Sequence, residues 1–346
     1  MNYSVLTPYL IPKELEGYKI QNIGDGFILL AIKNILEPFN ALFEFSSRKI
    51  LVQEDFDKIN STKALIVAGA NPLNDEYTIS PSLNLESLKK IKVPIIFLGV
   101  GYSGLDSLNL KMTNLTKNIL LQVHSGIEYS SWRCPITVRY LEANIPEIKS
   151  KFLMTGCPVI YGEKLLSGQP FTDNPERIAV TITERGNWWG REKKTIDFVA
   201  NKFKGKELFL VLHQDFTKKK LKTKIKDLLK LNPPARLIHW YAQCKGFKII
   251  KPVSVEICQH FYDSCDLHIG SRLHAHLYCL SNCSKSFLTY VDGRATGFSE
   301  YLGFPAVDVD NIESFLDYDF EIYRTNVLKH YKNMNFFINY LKEKIL

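Results

Sequence analysis

Short, continuous apolar segments recur along the chain, and most of them run into a glycine or a polar turn. They lie at residues 64–68, 94–98, 152–154, 178–182, 208–212, 236–240, 266–269 and 286–290. Helical patterns separate many of these segments, as at 27–36, 136–143 and 255–262. Strands that are buried on both faces of a parallel sheet read as continuous apolar runs, and helices connect them. The pattern therefore predicts an α/β fold with parallel sheets.

The chain divides into two similar halves. Its 346 residues exceed what one ordinary core accommodates. A polar segment with a glycine and two prolines, residues 164–175, interrupts the alternation and is the predicted linker. We expect two doubly wound, Rossmann-like domains, at 1–165 and 176–310, that face a cleft. A helical tail, residues 311–346, is predicted to pack back on the N-terminal domain.

Ionisable side chains cluster directly after the apolar segment 266–269. Ser271 lies where the N-cap of the next helix is expected, and Arg272 and His274 follow it. A helix start has unpaired N–H groups and a partial positive charge, which suits phosphate or carboxylate. Arginine adds a forked cation, and histidine adds a group that ordinarily titrates near neutral pH. The cluster indicates an anion-handling site, although His274 and His276 also fit satisfied polar residues beside a core.

Cysteine and histidine side chains in the same region invite a metal hypothesis. Closed zinc sites usually pair their ligands within two to four residues on each of two arms, and that spacing is missing here. On a helix, His274 and His276 would point to different sides. We therefore predict that no metal binds at Cys265, His268, His274, His276, Cys279 and Cys283.

Residues 99–104 read Gly-Val-Gly-Tyr-Ser-Gly after the apolar segment 94–98, which matches the spacing of a dinucleotide-binding turn. Such a turn should open a helix and should be followed by an acidic residue at the end of a later strand. Residues 105–114 do not form a clean helical pattern, and the acidic residue is missing. We predict neither a nicotinamide nor a flavin site, and no bound cofactor.

The formal net charge of +8 comes partly from a lysine-rich segment at 217–226. Its lysines alternate with apolar residues at helical spacing, which is typical of a solvated helix face. The alternative is peripheral contact between the region from Lys218 to Lys226 and an anionic membrane surface. Nucleic-acid binding is not expected, because no recognised motif accompanies the charge.

The sequence also bears on the cellular compartment. No apolar run approaches the ~20 residues that span a bilayer, and the N-terminus lacks a basic segment followed by a continuous apolar one. Seven cysteines, an odd number without regular spacing, are typical of reduced thiols. We expect a cytoplasmic protein, with the inner face of the membrane as the alternative site of action.

The region from 266 to 304 resembles the C-terminal signature of the polysaccharide pyruvyl transferase family. Its elements are S-R-L-H-A-H at 271–276, a strand ending at Tyr290, and D-G-R-x-x-G-F-x-E-x-L-G at 292–303. Shorter matches are a Gly-Asp pair at the first helix (Gly24 and Asp25), a Gly-x-Gly loop (Gly99 and Gly101) and an arginine before a helix (Arg133). The chain departs from the family's pattern at Arg294, where members usually carry lysine, and at Cys134 and Cys157.

The resemblance implies a glycosyltransferase-B-like architecture and an enzyme. The implied reaction moves a pyruvyl group from phosphoenolpyruvate to two hydroxyls of a sugar, in a cell-surface polysaccharide or its lipid-linked precursor, and forms a ketal. We assign His274 as general acid/base, and Arg272 to the donor with the helix end at Ser271. Arg294 is assigned as a donor cation in place of the family's lysine, and Arg185 is assigned as another from its position in the facing loop alone. The acceptor side or cleft lining is assigned to Gly24, Asp25, Gly99, Gly101, Arg133 and Trp188.

Two other functions fit the same residues. A nucleotide-sugar-dependent glycosyltransferase of this architecture would place a diphosphate on Arg272 and the helix end, because both donors carry phosphate. A binding or regulatory protein that has lost catalysis is also compatible with the departures at Arg294, Cys134 and Cys157. The pair Trp188 and Trp189 suits the lining of a cleft, but it also suits a loop that packs its aromatic rings on the domain.

Overall fold

The computed structural model describes residues 2–16, 18–19, 21–70, 72–103, 111–183, 188–214, 235–289 and 293–346, without the side chains of residues 235, 293 and 294. The chain forms two compact units. Unit 1 comprises Met1–Pro12, Ile28–Pro158 and Asn326–Leu346, and unit 2 comprises Lys13–Phe27 and Val159–Thr325.

This division differs from the predicted boundaries in three places. Residues 159–165, which the sequence assigns to the first domain, belong to unit 2, and so does the whole of the predicted linker at 164–175. Residues 13–27, which the sequence assigns to the first domain, belong to unit 2. The predicted tail is split, because 311–325 belong to unit 2 and only 326–346 belong to unit 1. Neither unit is therefore continuous in the sequence.

Unit 1 is built on parallel strands. The strands are β1 (Asn2–Thr7), β2 (Asn40–Ser46), β3 (Leu65–Ala68), β4 (Ile95–Leu98), β5 (Ser130–Trp132) and β6 (Phe152–Met154). Four of them form a sheet in the order β2-β1-β3-β4, and β5 pairs with β6. A bridge between Val100 and Trp132 joins β5 to the end of β4. The resulting order, 2-1-3-4-5-6, is that of a doubly wound Rossmann-like domain.

Helices connect the strands of unit 1. They are α1 (Ile23–Ile35), which begins in unit 2, α2 (Gln53–Asn60), α3 (Leu85–Leu88), α4 (Asn114–His124), α5 (Pro135–Asn144) and the 3₁₀ helix Pro146–Lys151. Pro135 starts α5, where a missing N–H costs nothing. The last helix of the chain, Glu321–Lys344, enters unit 1 at Asn326 and packs there: Tyr340 Oη accepts from the Glu128 N–H at 2.9 Å.

Unit 2 contains a six-stranded parallel sheet among its described residues. Its strands are β7 (Arg177–Thr181), β8 (Glu207–Val211), β9 (Lys248–Ile250), β10 (Leu267–Gly270), β11 (Lys285–Thr289) and β12 (Ala306–Val307). The spatial order is β12-β11-β10-β7-β8-β9. Numbered from β7, this is the order 3-2-1-4-5-6 of dinucleotide-binding Rossmann domains.

Helices accompany this sheet in the part of unit 2 that the structure describes. They are α6 (Glu163–Leu166), α7 (Trp189–Lys202), α8 (Ala235–Cys244), α9 (Val255–Asp263), α10 (Leu273–Ser281), α11 (Gly293–Leu302) and α12, the last helix (Glu321–Lys344). The 3₁₀ helices are Lys13–Leu15, Pro158–Ile160 and Val309–Phe315. In the described ranges, no helix combines the length and the apolar character needed to cross a bilayer.

One predicted strand is wrong. Residues 236–240 lie inside α8, not in a strand. The buried positions are Ile238, His239 and Ala242, whereas Leu237 and Trp240 are exposed. Burial at i, i+1 and i+4 follows the helical repeat. The strand prediction failed because the five-residue window is too short to distinguish a buried strand from a helix.

Candidate functional site

The strand order of unit 2 places a switch point between β7 and β10, which are neighbours in the sheet. Connections leave in opposite directions from such a pair, so a crevice opens outside the carboxyl ends of the two strands, where α/β folds bind ligands. Thr181 ends β7 and Gly270 ends β10, and these two residues lie in register. The segment from Ser271 to His274 therefore leaves the sheet at the crevice.

Ser271 is not the N-cap that the sequence predicts. Its N–H donates to the Thr181 carbonyl at 3.0 Å, which extends the strand ladder by one residue. Helix α10 starts at Leu273, and Arg272 occupies the N-cap position without a capping bond from its side chain. The Ser271 hydroxyl is buried and has no hydrogen-bond partner among the described residues.

Arg272 is held by the end of β7 and the residues after it. Its backbone N–H donates to Thr181 Oγ1 at 3.3 Å, Nε donates to the Ile182 carbonyl at 2.8 Å, and Nη2 donates to the Thr183 carbonyl at 2.8 Å. Ile182 and Thr183 offer neutral oxygens, which orient the guanidinium but cannot cancel its charge. Arg272 is thus a fixed, half-buried cation at the crevice.

The other edge of the guanidinium points toward β8. Nη1 and Nη2 of Arg272 both lie 3.5 Å from Gln214 Oε1, in the turn after that strand. This distance is at the long limit of a hydrogen bond, so the amide oxygen holds the edge weakly. A carboxylate or phosphate would bind the same two nitrogens as a fork, with shorter, charge-assisted bonds.

A buried carboxylate holds Thr183 in position. Glu192, in the first turn of α7, accepts from Thr183 N at 3.2 Å and from Thr183 Oγ1 at 2.9 Å, and pairs with Arg191 Nη2 at 2.5 Å. The Arg191 guanidinium carbon lies 4.6 Å from the centre of the Trp188 ring. This cation–π contact with Arg191 holds the Trp188 ring, while 37% of the Trp188 surface stays exposed.

His274 lies in the first turn of α10, half-buried, against the start of α1. A Cβ added at Gly24 would lie 3.1 Å from His274 Nδ1. The backbone N–H of Ile23 donates to the His213 carbonyl at 3.0 Å, which ties this helix start to the end of β8. Gly24 therefore lets the start of α1 approach the imidazole.

Alanine at Gly24 is expected to lower kcat about tenfold while changing the melting temperature little. The added methyl would contact His274 Nδ1 at 3.1 Å and Asn22 Oδ1 at 3.3 Å, so the imidazole must shift by a few tenths of an ångström. Gly126→Ala is the matched control, since its nearest new contact is 3.8 Å away. Equal kcat values for the two variants would contradict the positional role of Gly24.

An aromatic cage holds the start of α1 in unit 2. The Phe27 ring lies 4.9 Å from Tyr278, 5.9 Å from His213 and 6.0 Å from Tyr262, measured between ring centres. His213 Nε2 and Tyr262 Oη are 2.8 Å apart. Burial lowers the pKa of His213 well below its usual value, and the nearby Arg272, His268 and His274 lower it further. The His213 imidazole is therefore neutral, and it packs beside Phe27 and does not carry protons.

The remaining predicted site residues fall in three groups. Asp25 and Trp188 belong to unit 2, the unit of Arg272 and His274. Gly99, Gly101 and Arg133 belong to unit 1, where Gly99 has φ +67 and Arg133 is buried. Arg185, the side chain of Arg294 and the region from Lys218 to Lys226 lie outside the described residues, so their roles stay predictions.

Gly99 is fixed by packing. A Cβ there would lie 2.5 Å from Pro158 Cδ, and its N–H donates to the Ser131 carbonyl at 3.0 Å. The glycine thus serves the junction of β4 with β5, which is a structural reason for a residue that the sequence assigns to a binding loop. Its assignment to the acceptor side stays a prediction.

The cysteines and histidines show no arrangement for a metal. Among the described residues, no group of three or more His, Cys, Asp or Glu side chains is placed to hold an ion. All seven cysteines are free thiols, and Cys244 alone is exposed. Burial raises the pKa of Cys265 to about 12, and burial also raises that of Cys279 well above its usual value.

Solved structures with the same architecture identify the class of fold. The UDP-GlcNAc 2-epimerase of Neisseria meningitidis, solved with UDP-GlcNAc bound, aligns over 99% of this chain and 100% of its own, with 12% identity and a TM-score of 0.50. A putative UDP-N-acetylglucosamine 2-epimerase from Listeria monocytogenes aligns over 99% and 95%, with the same identity and TM-score. At this identity the likeness concerns the fold alone. The chain has a glycosyltransferase-B-like fold with two Rossmann-like domains, as predicted.

The sequence places the chain more narrowly. The family model of the polysaccharide pyruvyl transferases matches residues 22–287, so the chain belongs to that family, a family of transferases. The matched region begins beside Gly24 and includes Arg272 and His274. It ends before the D-G-R-x-x-G element at 292–297. No curated protein sequence matches the chain significantly.

Three site residues were not predicted from the sequence: Thr181, Gln214 and Glu192. Each lies at the carboxyl end of a strand or in the first turn of the following helix. The general signal was available, because polar residues at the ends of parallel strands face the ligand crevice. The sequence does not reveal that β7 pairs with β10, and this pairing brings Thr181 and Thr183 to Arg272.

Proposed function

We propose that the protein transfers a pyruvyl group from phosphoenolpyruvate to two hydroxyls of a sugar, in a cell-surface polysaccharide or its precursor, and forms a cyclic ketal. The observation that carries the proposal is the fixed Arg272 at the switch point, with His274 two residues further along the chain in the first turn of α10. Membership of a transferase family supports the reaction class.

Arg272 and the start of α10 are the proposed seat of the donor. Phosphoenolpyruvate carries a phosphate and a carboxylate, and the Nη1–Nη2 edge of Arg272 is oriented to receive one of them in place of Gln214 Oε1. The first N–H groups of α10 add further donors and a partial positive charge. Together they would stabilise the phosphate as negative charge develops on it during departure.

His274 is the proposed proton carrier. As imidazolium it gives a proton to the methylene carbon of phosphoenolpyruvate, which becomes a methyl group, and the first sugar hydroxyl attacks the resulting cation at the adjacent carbon. The imidazole takes the proton of that hydroxyl and delivers it to the departing phosphate. The second hydroxyl then attacks and gives its proton to the imidazole, which restores the starting state. One group that both gives and takes protons therefore serves every step.

A nucleotide-sugar donor is the second candidate. The strand order of unit 2 is that of dinucleotide-binding domains, and a diphosphate would use the same Arg272 edge. This candidate differs from the first in its products, because it releases a nucleotide and no inorganic phosphate.

A donor-release assay tests the proposal. The purified full chain is incubated with phosphoenolpyruvate and a panel of sugar and lipid-linked acceptors, and inorganic phosphate is measured. We expect phosphate release that depends on the acceptor. Release of nucleoside diphosphate from a nucleotide sugar, without phosphate release from phosphoenolpyruvate, would establish the second candidate. Binding of neither donor in a calorimetric titration would contradict both.

Replacing Arg272 with lysine is expected to lower kcat/KM at least about 100-fold. One ammonium cannot bind the carbonyls of Ile182 and Thr183 and also present a two-nitrogen edge to an anion. Arg177→Lys is the matched control: its Nε donates to the Ser264 carbonyl at 2.8 Å and its Nη1 pairs with Glu207 at 2.6 Å, at the opposite end of β7. Equal losses in the two variants would show that Arg272 acts through stability alone.

The acceptor and the cellular location stay proposals. We propose that Asp25 and Trp188 contact the sugar, because both lie in the unit that carries His274. Gly99, Gly101 and Arg133 are proposed as further acceptor residues, and Arg294 as a further donor cation, on the family resemblance described above. Arg185 is proposed as another donor cation from its position in the sequence alone. A cytoplasmic protein that meets a lipid-linked acceptor through the region from Lys218 to Lys226 is the proposed setting, without a cofactor or a nucleic-acid partner.

A further inference from the structure

A chain of four buried polar side chains runs behind the crevice, and the proposed reaction makes no use of it. Thr181 Oγ1 lies 2.8 Å from His268 Nε2, His268 Nδ1 lies 2.7 Å from Ser286 Oγ, and Ser286 Oγ lies 2.8 Å from His276 Nδ1. The four residues come from β7, β10, β11 and α10, and all are buried. At its first end the chain meets the backbone N–H of Arg272, which donates to Thr181 Oγ1.

Both imidazoles in the chain are neutral. Burial lowers the pKa of His268 to about 3, and burial with the neighbouring His268 lowers that of His276 well below its usual value. A neutral imidazole has one N–H and one acceptor nitrogen. Each histidine must therefore donate on one side and accept on the other, and the two hydroxyls must be oriented to match.

One orientation gives each of the two hydroxyls both a donor and an acceptor. The Arg272 N–H donates to Thr181, and the Thr181 hydroxyl donates to His268 Nε2. His268 Nδ1–H donates to Ser286, and the Ser286 hydroxyl donates to His276 Nδ1. His276 then carries its hydrogen on Nε2, and its imidazole packs against the ring of Phe304, with the two ring centres 4.3 Å apart at an interplanar angle of 68°. That arrangement allows an N–H to π contact, and His276 Nε2 has no hydrogen-bond partner among the described residues.

The opposite orientation is less favourable. Both Arg272 N–H and His268 Nε2–H would then donate to Thr181 Oγ1, so the Thr181 hydroxyl hydrogen would need a further acceptor in a buried place. A buried donor without a partner costs free energy.

We infer that Thr181, His268, Ser286 and His276 form a polarised hydrogen-bond chain that positions Arg272, with His268 protonated on Nδ1 and His276 protonated on Nε2. Donation by the Thr181 hydroxyl makes its oxygen a stronger acceptor for the Arg272 N–H. The backbone of Arg272 is thereby fixed from β7 while Ile182 and Thr183 fix its side chain. These four are positioning residues, since they act on the donor through Arg272, and this consequence rests on the proposed donor site.

Nitrogen NMR of the wild-type protein tests the orientation directly. Long-range proton–nitrogen spectra of histidine-labelled protein distinguish the two tautomers of each ring. We expect His268 as the Nδ1–H form and His276 as the Nε2–H form, both without a change between pH 5.5 and 8. The reverse pair of tautomers would overturn the inference. This measurement needs no variant and no knowledge of the substrate.

Substitutions at Thr181 test the coupling to Arg272. We expect Thr181→Val, which keeps the shape but removes the hydroxyl, to weaken binding of phosphoenolpyruvate or UDP about tenfold in calorimetry. Thr181→Ser, which restores the hydroxyl, should bind within about threefold of wild type. Equal affinities for Thr181→Val and wild type, or no recovery in Thr181→Ser, would overturn the positioning role. If Thr181→Val does not fold, Ser286→Ala takes its place, with binding expected to weaken in the same direction.

A matched control comes from unit 1. There the buried His124 contacts Ser130 Oγ through Nε2 at 2.8 Å, and burial lowers the pKa of His124 to about 4. Ser130→Ala should lower the melting temperature without weakening donor binding, and weakening comparable to that of Thr181→Val would assign both effects to general destabilisation. Wild-type protein that binds neither phosphoenolpyruvate nor UDP would contradict the proposed function, while the NMR tautomers would still decide the hydrogen-bond chain.

Discussion

His274→Ala is expected to lower kcat about 100- to 10,000-fold, the usual contribution of a general acid/base. The variant leaves Arg272 and its contacts with Ile182 and Thr183 in place, so the donor should still bind with nearly unchanged affinity. The loss should therefore appear in kcat and not in the dissociation constant of phosphoenolpyruvate. Phosphate release and calorimetry, measured on the same preparation, separate these two quantities.

Imidazole added to His274→Ala should restore part of the turnover. The wild-type side chain is half-buried beside Gly24, so its removal leaves a space that solvent can reach. His260→Ala is the control, because His260 is an exposed histidine on α9. Full turnover in His274→Ala would remove the proton-carrier assignment, and rescue of both variants alike would show that imidazole acts elsewhere.

Gly270→Ala is expected to destabilise unit 2 by about 3 kcal/mol or more, which would lower its melting temperature by about 10 °C. Gly270 has φ +156, and a Cβ there would lie 2.0 Å from the Thr181 carbonyl oxygen and 2.5 Å from its hydroxyl. The oxygen belongs to the backbone of β7, so the strands themselves must separate. Calorimetric unfolding of the variant measures the loss.

The matched variant for this experiment is Gly190→Ala. Gly190 lies in the first turn of α7, also in unit 2, and an added Cβ meets nothing within 4 Å. Alanine in a helix is favoured over glycine, so this variant should keep or raise the melting temperature by the equivalent of about 0.5–1 kcal/mol. A Gly270→Ala protein as stable as Gly190→Ala would show that β7 and β10 are not packed as described.

The sequence predicts the sheets better than the contacts of the site. Continuous apolar runs identified β3, β4, β6, β7, β8, β10 and β11 to within a residue or so, because strands covered on both faces carry that pattern. The segments β1 and β2 were not predicted: β1 contains Asn2, Tyr3 and Ser4, and β2 is only partly buried. Helix α11 begins at Gly293 and is followed by Gly303, whose φ of +77 is the left-handed conformation in which glycine commonly ends a helix.

Local patterns also misplace residues whose role depends on distant partners. Ser271 is a residue type that often caps helices, yet its N–H donates to the carbonyl of Thr181, which ends a strand far earlier in the sequence. Gly24 and Asp25 look like the first turn of an N-terminal domain, but both belong to unit 2, where Gly24 approaches His274. No spacing rule relates Gly24 to His274, because only the folded chain brings them together.

The interleaving of the two units limits how this protein can be made and cut. Residues 13–27 leave the ribosome long before 159–325, so the cage around Phe27 cannot close until His213, Tyr262 and Tyr278 have been synthesised. Unit 1 likewise waits for residues 326–346. A single cut after Pro158 would leave the first fragment without residues 326–346 and the second without residues 13–27, which include the Gly24 that lies beside His274. Neither unit can therefore be expressed complete as one continuous piece of the chain.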